Sequence, residues 1–321
     1  FLNLSVLLGS NSMNTDGVRR SLLNLVVYLV VAAVVVAAVV VGTPVYASAN
    51  AGNGTGCSEV NNALITAGVL SLGDAAGFPA TLGLAAPAQG QGTGTCYRLT
   101  EDLDLSGAVA TQQLNAIEIV EDNVTLYLNG HVIRNVGLNN GFSTGILIRN
   151  NSRNIRIVGP GTIEWFRRGI HSEFTSVTSR SGDHHSINDV SVLDSDLSAI
   201  SLGDRANVSY CVVSHVHHRD GTPLIDVGDF STVRGNHVVD LPHLTGDAAG
   251  IRVGDSSLVE HNVIGPVTGL GIDCGPGATS RAIGNVLDGI NLAEIEATDC
   301  VVLAGDNTCE GGTSVADCTT P

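Results

Sequence analysis

A short pattern of alternating apolar and polar positions recurs four times between residues 199 and 292. The four copies read Ala199-Ile-Ser-Leu-Gly-Asp204, Leu224-Ile-Asp-Val-Gly-Asp229, Gly250-Ile-Arg-Val-Gly-Asp255 and Gly271-Ile-Asp-Cys-Gly-Pro276. Their isoleucines, Ile200, Ile225, Ile251 and Ile272, lie 25, 26 and 21 residues apart. A sequence period of about 20–30 residues indicates a stack of similar supersecondary units.

Each copy is followed by two further apolar segments at similar offsets. The second segment contains Val208, Val233 or Val259, and three residues later stands a cysteine in the first copy and an asparagine in the others: Cys211, Asn236, Asn262 and Asn285. Short segments of period two, separated by Gly, Asp and Asn, are typical of β-strands. Three such strands leave no room for a helix and match one turn, or rung, of a parallel β-helix with rungs about 4.8 Å apart. A β-propeller and a β-sandwich are the alternatives.

The pattern extends outward from these copies to about eight rungs, beginning near Ile117 and ending near Ile295. Three segments, Tyr97–Leu103, Val124–Ile133 and Asn154–Gly159, resemble the early rungs of right-handed parallel β-helix proteins of the pectate-lyase-like superfamily. The resemblance covers roughly Tyr97 to Asn307. It implies an all-β, right-handed parallel β-helix and leaves the activity open, because this fold carries lyases, hydrolases, epimerases and binding proteins.

The chain is strongly acidic and contains no lysine. Its 15 basic residues are all arginine, and with 31 acidic residues the net charge is −16. Such a surface favours adaptation to high salt, where charge repulsion is screened, and resembles proteins of halophilic archaea. GC-rich codon usage would also replace lysine by arginine. The negative charge argues against nucleic acid or an anionic membrane as a partner.

The N-terminal region has the features of an export signal. Arg19-Arg20 precedes an apolar run over 22–41 and the small residues Ala47-Ser48-Ala49, so we expect 1–49 to be a signal peptide or leader. The protein is then secreted or lies at the cell surface, and it contacts a membrane only if this segment is retained. Asn-x-Ser/Thr sequons, such as Asn123-Val-Thr, are candidate glycosylation sites.

The remainder divides into three regions. We predict an N-terminal cap over 50–115 that covers the open end of the first rung, the parallel β-helix over 116–305, and a C-terminal tail over 306–321. Cys57 and Cys96 are predicted to form a disulfide in the exported protein. Cys211 and Cys274 stand three rungs apart at inward positions, too far to bond to each other, and are predicted to be buried thiols.

Alternation of side chains predicts a charged column on the outer face of the first strands. This outer column comprises Glu118, Leu147, His171, Ser201, Asp226, Arg252, Asp273 and Glu296. Asp226 and Asp273 flank Arg252 at about 9–10 Å from each other, near the upper end of the spacing of roughly 6.5–9.5 Å in inverting glycoside hydrolases. Arg252 would bind a uronate carboxylate. The alternative is a surface column in which the acids only offset the arginine.

Two loops that lead into the next first strand border the same face. The first supplies His217 and His218 as candidates for proton transfer, with Arg219 and Asp220 as substrate ligands. The second supplies His243 and Asp247 for substrate binding, and His171 completes this set from the outer column. The insertion between Ile170 and Val190 carries Arg180, Asp183, His184 and His185. It either overhangs a substrate groove or is a mobile surface loop.

Metal binding is a further hypothesis for this face. The His-x-His-His segment could bind Zn or Cu, and it alone carries a resemblance to the copper-processing β-helix proteins of nitrous oxide reductase maturation. Asp226, Asp273 or Asp247 could hold calcium, as in some related lyases.

We therefore expect a secreted or cell-surface β-helix protein that binds an acidic polysaccharide. Cleavage would be hydrolysis by the two aspartates, or elimination with an arginine or histidine as the base. The alternative is a non-catalytic adhesin, envelope component or carbohydrate-binding solenoid, which the low aromatic content of 4% favours.

Overall fold

The protein is a parallel β-solenoid. The computed structural model describes residues 57–60, 82–84, 95–105, 115–120, 122–135, 143–149, 152–173, 183–214, 222–239, 249–267, 269–275, 279–288, 300–302 and 307–310. These ranges contain 27 strands and no helix, and therefore no helix that could cross a membrane. Every paired strand runs parallel to its neighbour, and the strands, numbered in chain order, form three sheets. The predicted fold class is confirmed.

Sheet I carries the predicted outer column. Its strands are β2 (Leu82–Leu84), β5 (Asn115–Ile119), β8 (Thr144–Ile148), β11 (Arg168–Ser172), β14 (Ile200–Ser201), β17 (Ile225–Val227), β20 (Ile251–Val253) and β23 (Ile272–Cys274). The repeat isoleucines pair with each other in this sheet, from Ile117 through Ile200 to Ile272, and their side chains are fully buried.

Sheet II receives the chain after each strand of sheet I. Its strands are β1 (Ser58–Val60), β3 (Thr95–Leu99), β6 (Val124–Tyr127), β9 (Arg156–Val158), β12 (Ser186–Asn188), β15 (Asn207–Ser209), β18 (Thr232–Arg234), β21 (Leu258–Glu260), β24 (Ser280–Ile283) and β26 (Cys300–Val302).

Sheet III completes each turn before the chain returns to sheet I. Its strands are β4 (Leu103–Asp104), β7 (Val132–Arg134), β10 (Thr162–Glu164), β13 (Ser191–Leu193), β16 (Val212–Ser214), β19 (His237–Val239), β22 (Val263–Ile264), β25 (Val286–Asp288) and β27 (Thr308–Glu310). Among the described residues, sheet I has eight strands, sheet II ten and sheet III nine, so the number of turns depends on which sheet is counted. The number of turns differs slightly from the predicted count of about eight rungs.

The core is a set of aliphatic columns, one from each sheet, that meet along the axis of the solenoid. In sheet II the column passes from Leu126 to Val259, and in sheet III from Ile133 to Leu287, and every one of these side chains is fully buried. Removing a Val, Leu or Ile side chain from water contributes roughly 1.5–3 kcal/mol. Stacked β-branched side chains therefore supply the main driving force for the fold, as the alternation in the sequence predicts.

A column of asparagines, Asn236, Asn262, Asn285 and Asn307, occupies the turn between sheets II and III, and its first three members are buried. The Nδ2 of Asn236 donates to the Oδ1 of Asn262 at 2.9 Å, and Asn262 donates to Asn285 at 3.0 Å. Each Oδ1 also accepts the backbone N–H of the residue at the same position of the previous rung, which is Cys211 for Asn236 and an asparagine for the others. Each Nδ2 also donates to a backbone carbonyl, such as Val233 O at 3.0 Å from Asn262. In this way one amide satisfies backbone groups that the turn would otherwise leave unpaired.

A second column, of aspartates, occupies the turn between sheets I and II. Asp204 Oδ1 accepts the backbone N–H of Asp229 at 2.9 Å, and Asp229 Oδ1 accepts that of Asp255 at 2.8 Å. Gly228 and Gly254 make this possible, because a Cβ there would lie 2.1 Å from Asp204 Oδ1 and 2.2 Å from Asp229 Oδ1. The Gly-Asp pairs of the sequence repeat thus join neighbouring rungs, since the glycine leaves space for the aspartate that accepts the hydrogen bond.

The cysteines divide between bonded and free. The structure joins Cys57 to Cys96 in a disulfide, and Cys211 is a free, buried thiol at the first position of the asparagine column. The prediction of a thiol at Cys274 is wrong, because this residue is disulfide-bonded. The rung spacing excludes a disulfide between Cys274 and Cys211, which stand three rungs apart, but it does not exclude a disulfide between Cys274 and another cysteine.

The asparagine column predicts a specific stability effect. Asn262→Ala leaves the backbone N–H of Asn236 and the carbonyl of Val233 buried without these partners, each at a cost of about 1–3 kcal/mol. We expect the free energy of unfolding to fall by about 3 kcal/mol or more in denaturant titrations. The control is Cys211→Asn, which extends the column by one amide and should leave stability equal or higher. Equal losses in both variants would contradict this role of the column.

Candidate functional site

The outer column is present on sheet I in the predicted register, although three of its members, Glu118, Leu147 and Ser201, are buried. The pairs Glu118–Leu147, Leu147–His171, His171–Ser201 and Ser201–Asp226 join its first half, and Asp226–Arg252 and Arg252–Asp273 join its second half. Parallel register places consecutive members about 4.8 Å apart. Glu296, the last predicted member, lies outside the described residues.

Arg252 and Asp273 form a direct ion pair in the second half of this column. The Nε of Arg252 donates to Oδ2 of Asp273 at 2.6 Å. The Arg252 side chain is 42% exposed and Asp273 14% exposed, so the carboxylate is partly shielded while the guanidinium reaches solvent. Asp226 is half-buried one rung before Arg252. The arrangement offers a cation between two carboxylates, with Asp226 and Asp273 two rung spacings apart.

The first half of the column borders a small cavity that we call the arginine pocket. It has a volume of about 110 Å³ and lies against β5, β8 and β11. Its polar lining includes Ser143, Thr144, Arg149, Arg167, Arg168 and His171. Of these, only His171 was predicted from the sequence. The period-two pattern could have pointed to Arg149, two residues after the outward Leu147. Arg167 lies in the turn before β11 and Arg168 is the first residue of β11, out of phase with the outward His171, so neither carries such a signal.

Arg149 is held in place at one wall of this pocket by two glutamates. Its Nε donates to Glu118, which is buried, and its Nη1 donates to Glu173 Oε1 at 2.8 Å. Burial favours a lower pKa for Arg149, but the hydrogen bonds to Glu118 and Glu173 outweigh it and raise the pKa. Arg149 is therefore a fixed cation whose charge is already balanced by carboxylates.

Arg168 and His171 experience a different environment in the same pocket. Burial, and then the neighbouring charge of Arg167, lower the pKa of Arg168. Burial, and then the charge of Arg168, lower the pKa of His171 to about 4. At neutral pH His171 is therefore an uncharged imidazole beside an arginine pair, able to donate one hydrogen bond and accept another.

The predicted overhang is wrong for His185. This side chain is 1% exposed, accepts the backbone N–H of Ile155 at Nδ1 and lies 3.4 Å from Ser172 Oγ at Nε2. Burial, and then the charge of His184, lower its pKa to about 4. The sequence showed an insertion rich in polar residues, but the end of that insertion returns to β12 and packs His185 between rungs.

The other predicted site residues fall on two loops. His217, His218, Arg219 and Asp220 lie within 215–221, and His243 and Asp247 lie within 240–248, both outside the described residues. The predictions for them stand as predictions. Within the described ranges, no three His, Cys, Asp or Glu side chains are grouped closely enough to hold a metal ion. The calcium hypothesis for Asp226, Asp273 or Asp247 stays a prediction.

Exposed aromatic side chains are found at three different turns. Trp165 lies between sheets III and I, Phe230 between sheets I and II, and Tyr210 between sheets II and III. Phe230 stacks with Arg205, whose guanidinium is 5.8 Å from the ring centre. Tyr210 lies over Gly235 of the next rung, at the turn opposite sheet I. Trp165 and Phe230 therefore flank sheet I on its two sides, whereas Tyr210 lies away from the face that carries the outer column.

No protein-family model, no curated protein and no solved structure matches this chain. The function proposed below therefore rests on the fold and on the geometry of the site.

His171, which is half-buried, and His185, which is buried, predict a loss of stability in mild acid. Their pKa of about 4 in the folded protein lies below the ordinary value of 6.5, so between these values the unfolded chain binds protons that the folded chain does not. The free energy of unfolding then decreases as pH falls from about 6.5 to about 4. Asp183, with a pKa raised to about 6 by burial and then by Asp204, acts in the opposite direction.

His185→Gln isolates one of these contributions. We expect it to remove up to about 3 kcal/mol of the difference in unfolding free energy between pH 7 and pH 4. Denaturant titrations at both pH values measure this, with the exposed neighbour His184→Gln as the control. An unchanged difference in His185→Gln would show that His185 is not held neutral by burial.

Proposed function

We propose that this protein binds an extended acidic polysaccharide along the outer face of sheet I and hydrolyses it with Asp226 and Asp273. The observation that carries the proposal is the continuous register of Asp226, Arg252 and Asp273, with Arg252 bound to Asp273. A face of stacked strands presents equivalent positions at regular intervals, which suits a polymer with repeating units. Arg252 supplies a cation for the acidic groups of such a polymer.

The hydrolysis hypothesis assigns different roles to the two aspartates. In an inverting reaction, one carboxylic acid protonates the leaving oxygen and a carboxylate on the other side activates water. Asp273 accepts a charge-assisted hydrogen bond from Arg252, which orients its carboxylate and suits it to the role of the base. Asp226, on the other side of Arg252, is then the acid. Elimination with an arginine or histidine as base is the competing reaction on the same face.

We further propose that the solenoid is a right-handed β-helix of the pectate-lyase-like type and that it is exported. The resemblance of Tyr97–Leu103, Val124–Ile133 and Asn154–Gly159 supports the first statement. A disulfide between Cys57 and Cys96 supports an oxidising compartment, because structural disulfides persist there. The lysine-free chain of net charge −16 supports a salty environment.

A non-catalytic surface solenoid is the second candidate. It is favoured by one observation, that the described members of the outer column include no aromatic side chain on which a sugar ring could stack. Such a protein would bind the polymer and release it unchanged.

Activity of the folded protein on acidic polysaccharides tests these alternatives. The assay uses molar salt, polygalacturonate and alginate as substrates, with and without calcium, and follows both new reducing ends and absorbance at 235 nm. We expect reducing ends without a rise at 235 nm, and a loss of about 10²-fold or more in Asp226→Asn and Asp273→Asn.

Asp288→Asn, an exposed aspartate on sheet III, is the matched control and should retain activity. A rise at 235 nm would indicate elimination and overturn the two-aspartate mechanism. Binding without any cleavage would favour the non-catalytic solenoid.

A further inference from the structure

The arginine pocket is distinct from the pair of aspartates proposed to be catalytic. It borders β11, whose His171 lies two rung spacings from Asp226 along sheet I, or about 10 Å. Three of the 15 basic residues of the chain line this one cavity, although the net charge of the chain is −16. An accumulation of arginines against the overall charge of the protein indicates a local requirement for positive potential.

The two glutamates beside the pocket are both engaged by one of its arginines. Glu118 and Glu173 both bind Arg149, so these two carboxylates are held on one wall. Arg167 and Arg168 line the other side of the pocket. Glu118 and Glu173 therefore do not serve as partners for Arg168.

Arg168 is the residue placed to meet that anion. Its side chain is half-buried in the pocket lining, and no carboxylate of the described residues forms an ion pair with it. Burial next to the like charge of Arg167 destabilises its charged form, as the lowered pKa indicates. An anion in the pocket would relieve both the desolvation and the repulsion. A planar guanidinium binds a carboxylate or sulfate through two parallel hydrogen bonds.

Neutral donors are arranged around the same space. Ser143 Oγ accepts the backbone N–H of Arg167 at 3.1 Å, which fixes the hydroxyl and leaves its proton for another acceptor. Ser143 and Thr144 are both buried, so their hydroxyls belong to a built site and not to a solvated surface. Leu147 provides an apolar wall on the outer column.

The volume of the pocket is sufficient for a small anionic group. A cavity of about 110 Å³ exceeds the roughly 30 Å³ that one water molecule occupies in the liquid, so a carboxylate or sulfate group fits in it.

We propose that the arginine pocket binds a single carboxylate or sulfate group, held by Arg168 with Ser143 and Thr144 as neutral donors. The group is carried either by an acidic sugar of the polymer on sheet I or by a free small anion. Only the first source rests on the proposed function. In that case the pocket selects acidic sugars at a fixed distance from Asp226.

Binding of defined anions tests the site without any need for catalysis. The probes are sodium sulfate, galacturonate and a short oligogalacturonate, titrated into the folded protein at constant ionic strength, with neutral galactose as the negative control. Calorimetry measures affinity. Trp165, the one tryptophan of the chain, lies three residues before Arg168 and adds a local fluorescence signal.

We expect saturable binding of galacturonate or sulfate, no binding of galactose, and a loss of affinity of about 10-fold or more in Arg168→Gln. Arg156→Gln removes the same charge from an exposed position on sheet II and should leave affinity unchanged. Thermal unfolding of both variants establishes that they are folded. If neither anion saturates the site, or if both variants lose affinity equally, the proposal is overturned.

Two further comparisons identify the source of the anion. Tighter binding of the oligomer than of the monomer, reduced by Arg252→Gln, indicates an acidic polymer that spans both sites. Equal affinity for monomer and oligomer indicates a free small anion. Asp226→Asn should leave binding of the monomer unchanged, so failure of the hydrolysis hypothesis would not be confused with failure of this site.

Discussion

The structure depends on hydrogen bonds that pass from one rung to the next inside the turn between sheets II and III. Each asparagine of the asparagine column bonds both the amide and the backbone of its neighbour, and Asn262 and Asn285 are fully buried. A buried amide that lost these partners would be costly, so a slip of one rung against the next is strongly disfavoured. The column therefore fixes the register on which the aliphatic core relies.

The same constraint explains how distant residues form one functional face. Asp226, Arg252 and Asp273 are 26 and 21 residues apart in sequence, with loops of different length between their rungs. Because each rung is anchored at the same turn, differences in loop length are absorbed at the turn between sheets III and I and do not shift sheet I. The outer column then remains aligned while the surrounding loops vary.

Much of the fold could be predicted because one copy of the sequence repeat corresponds to one rung of the solenoid. The spacing of Ile200, Ile225, Ile251 and Ile272 predicts their stacking, and alternation predicts which neighbours face outward. The pairing of Asp226 with Arg252 and of Arg252 with Asp273 follows from that register alone.

The arginine pocket was not predictable in this way. Arg167 enters it from a turn, where neither period two nor the repeat specifies direction, and its contact with Ser143 joins residues from different rungs. His185 illustrates the same limit, since a polar insertion does not reveal which of its residues returns to the core. The sequence repeat predicts the residues that stand at the same position of every rung, whereas the arginine pocket is built from residues that do not belong to the repeat.

The two ends of sheet I differ in electrostatic character. The arginine pocket at β5, β8 and β11 is lined by three arginines, while Asp226 and Asp273 bring carboxylates to β17 and β23. Salt weakens the long-range repulsion between an anionic ligand and a protein of charge −16 more than it weakens contacts in a partly buried pocket. Moderate to high ionic strength is thus compatible with selective binding of an anion by this protein.

The aspartate column gives part of the acidic composition a structural role. Asp204, Asp229 and Asp255 accept backbone N–H groups of the following rung, at 2.9, 2.8 and 2.8 Å, and Asp102 and Asp122 do so in earlier turns. These carboxylates contribute to the net charge, and they also join neighbouring rungs through hydrogen bonds. Any variant that keeps this architecture would have to retain these aspartates or lose the hydrogen bonds that they make. Part of the acidic composition of this chain is therefore explained by the way in which its rungs are joined.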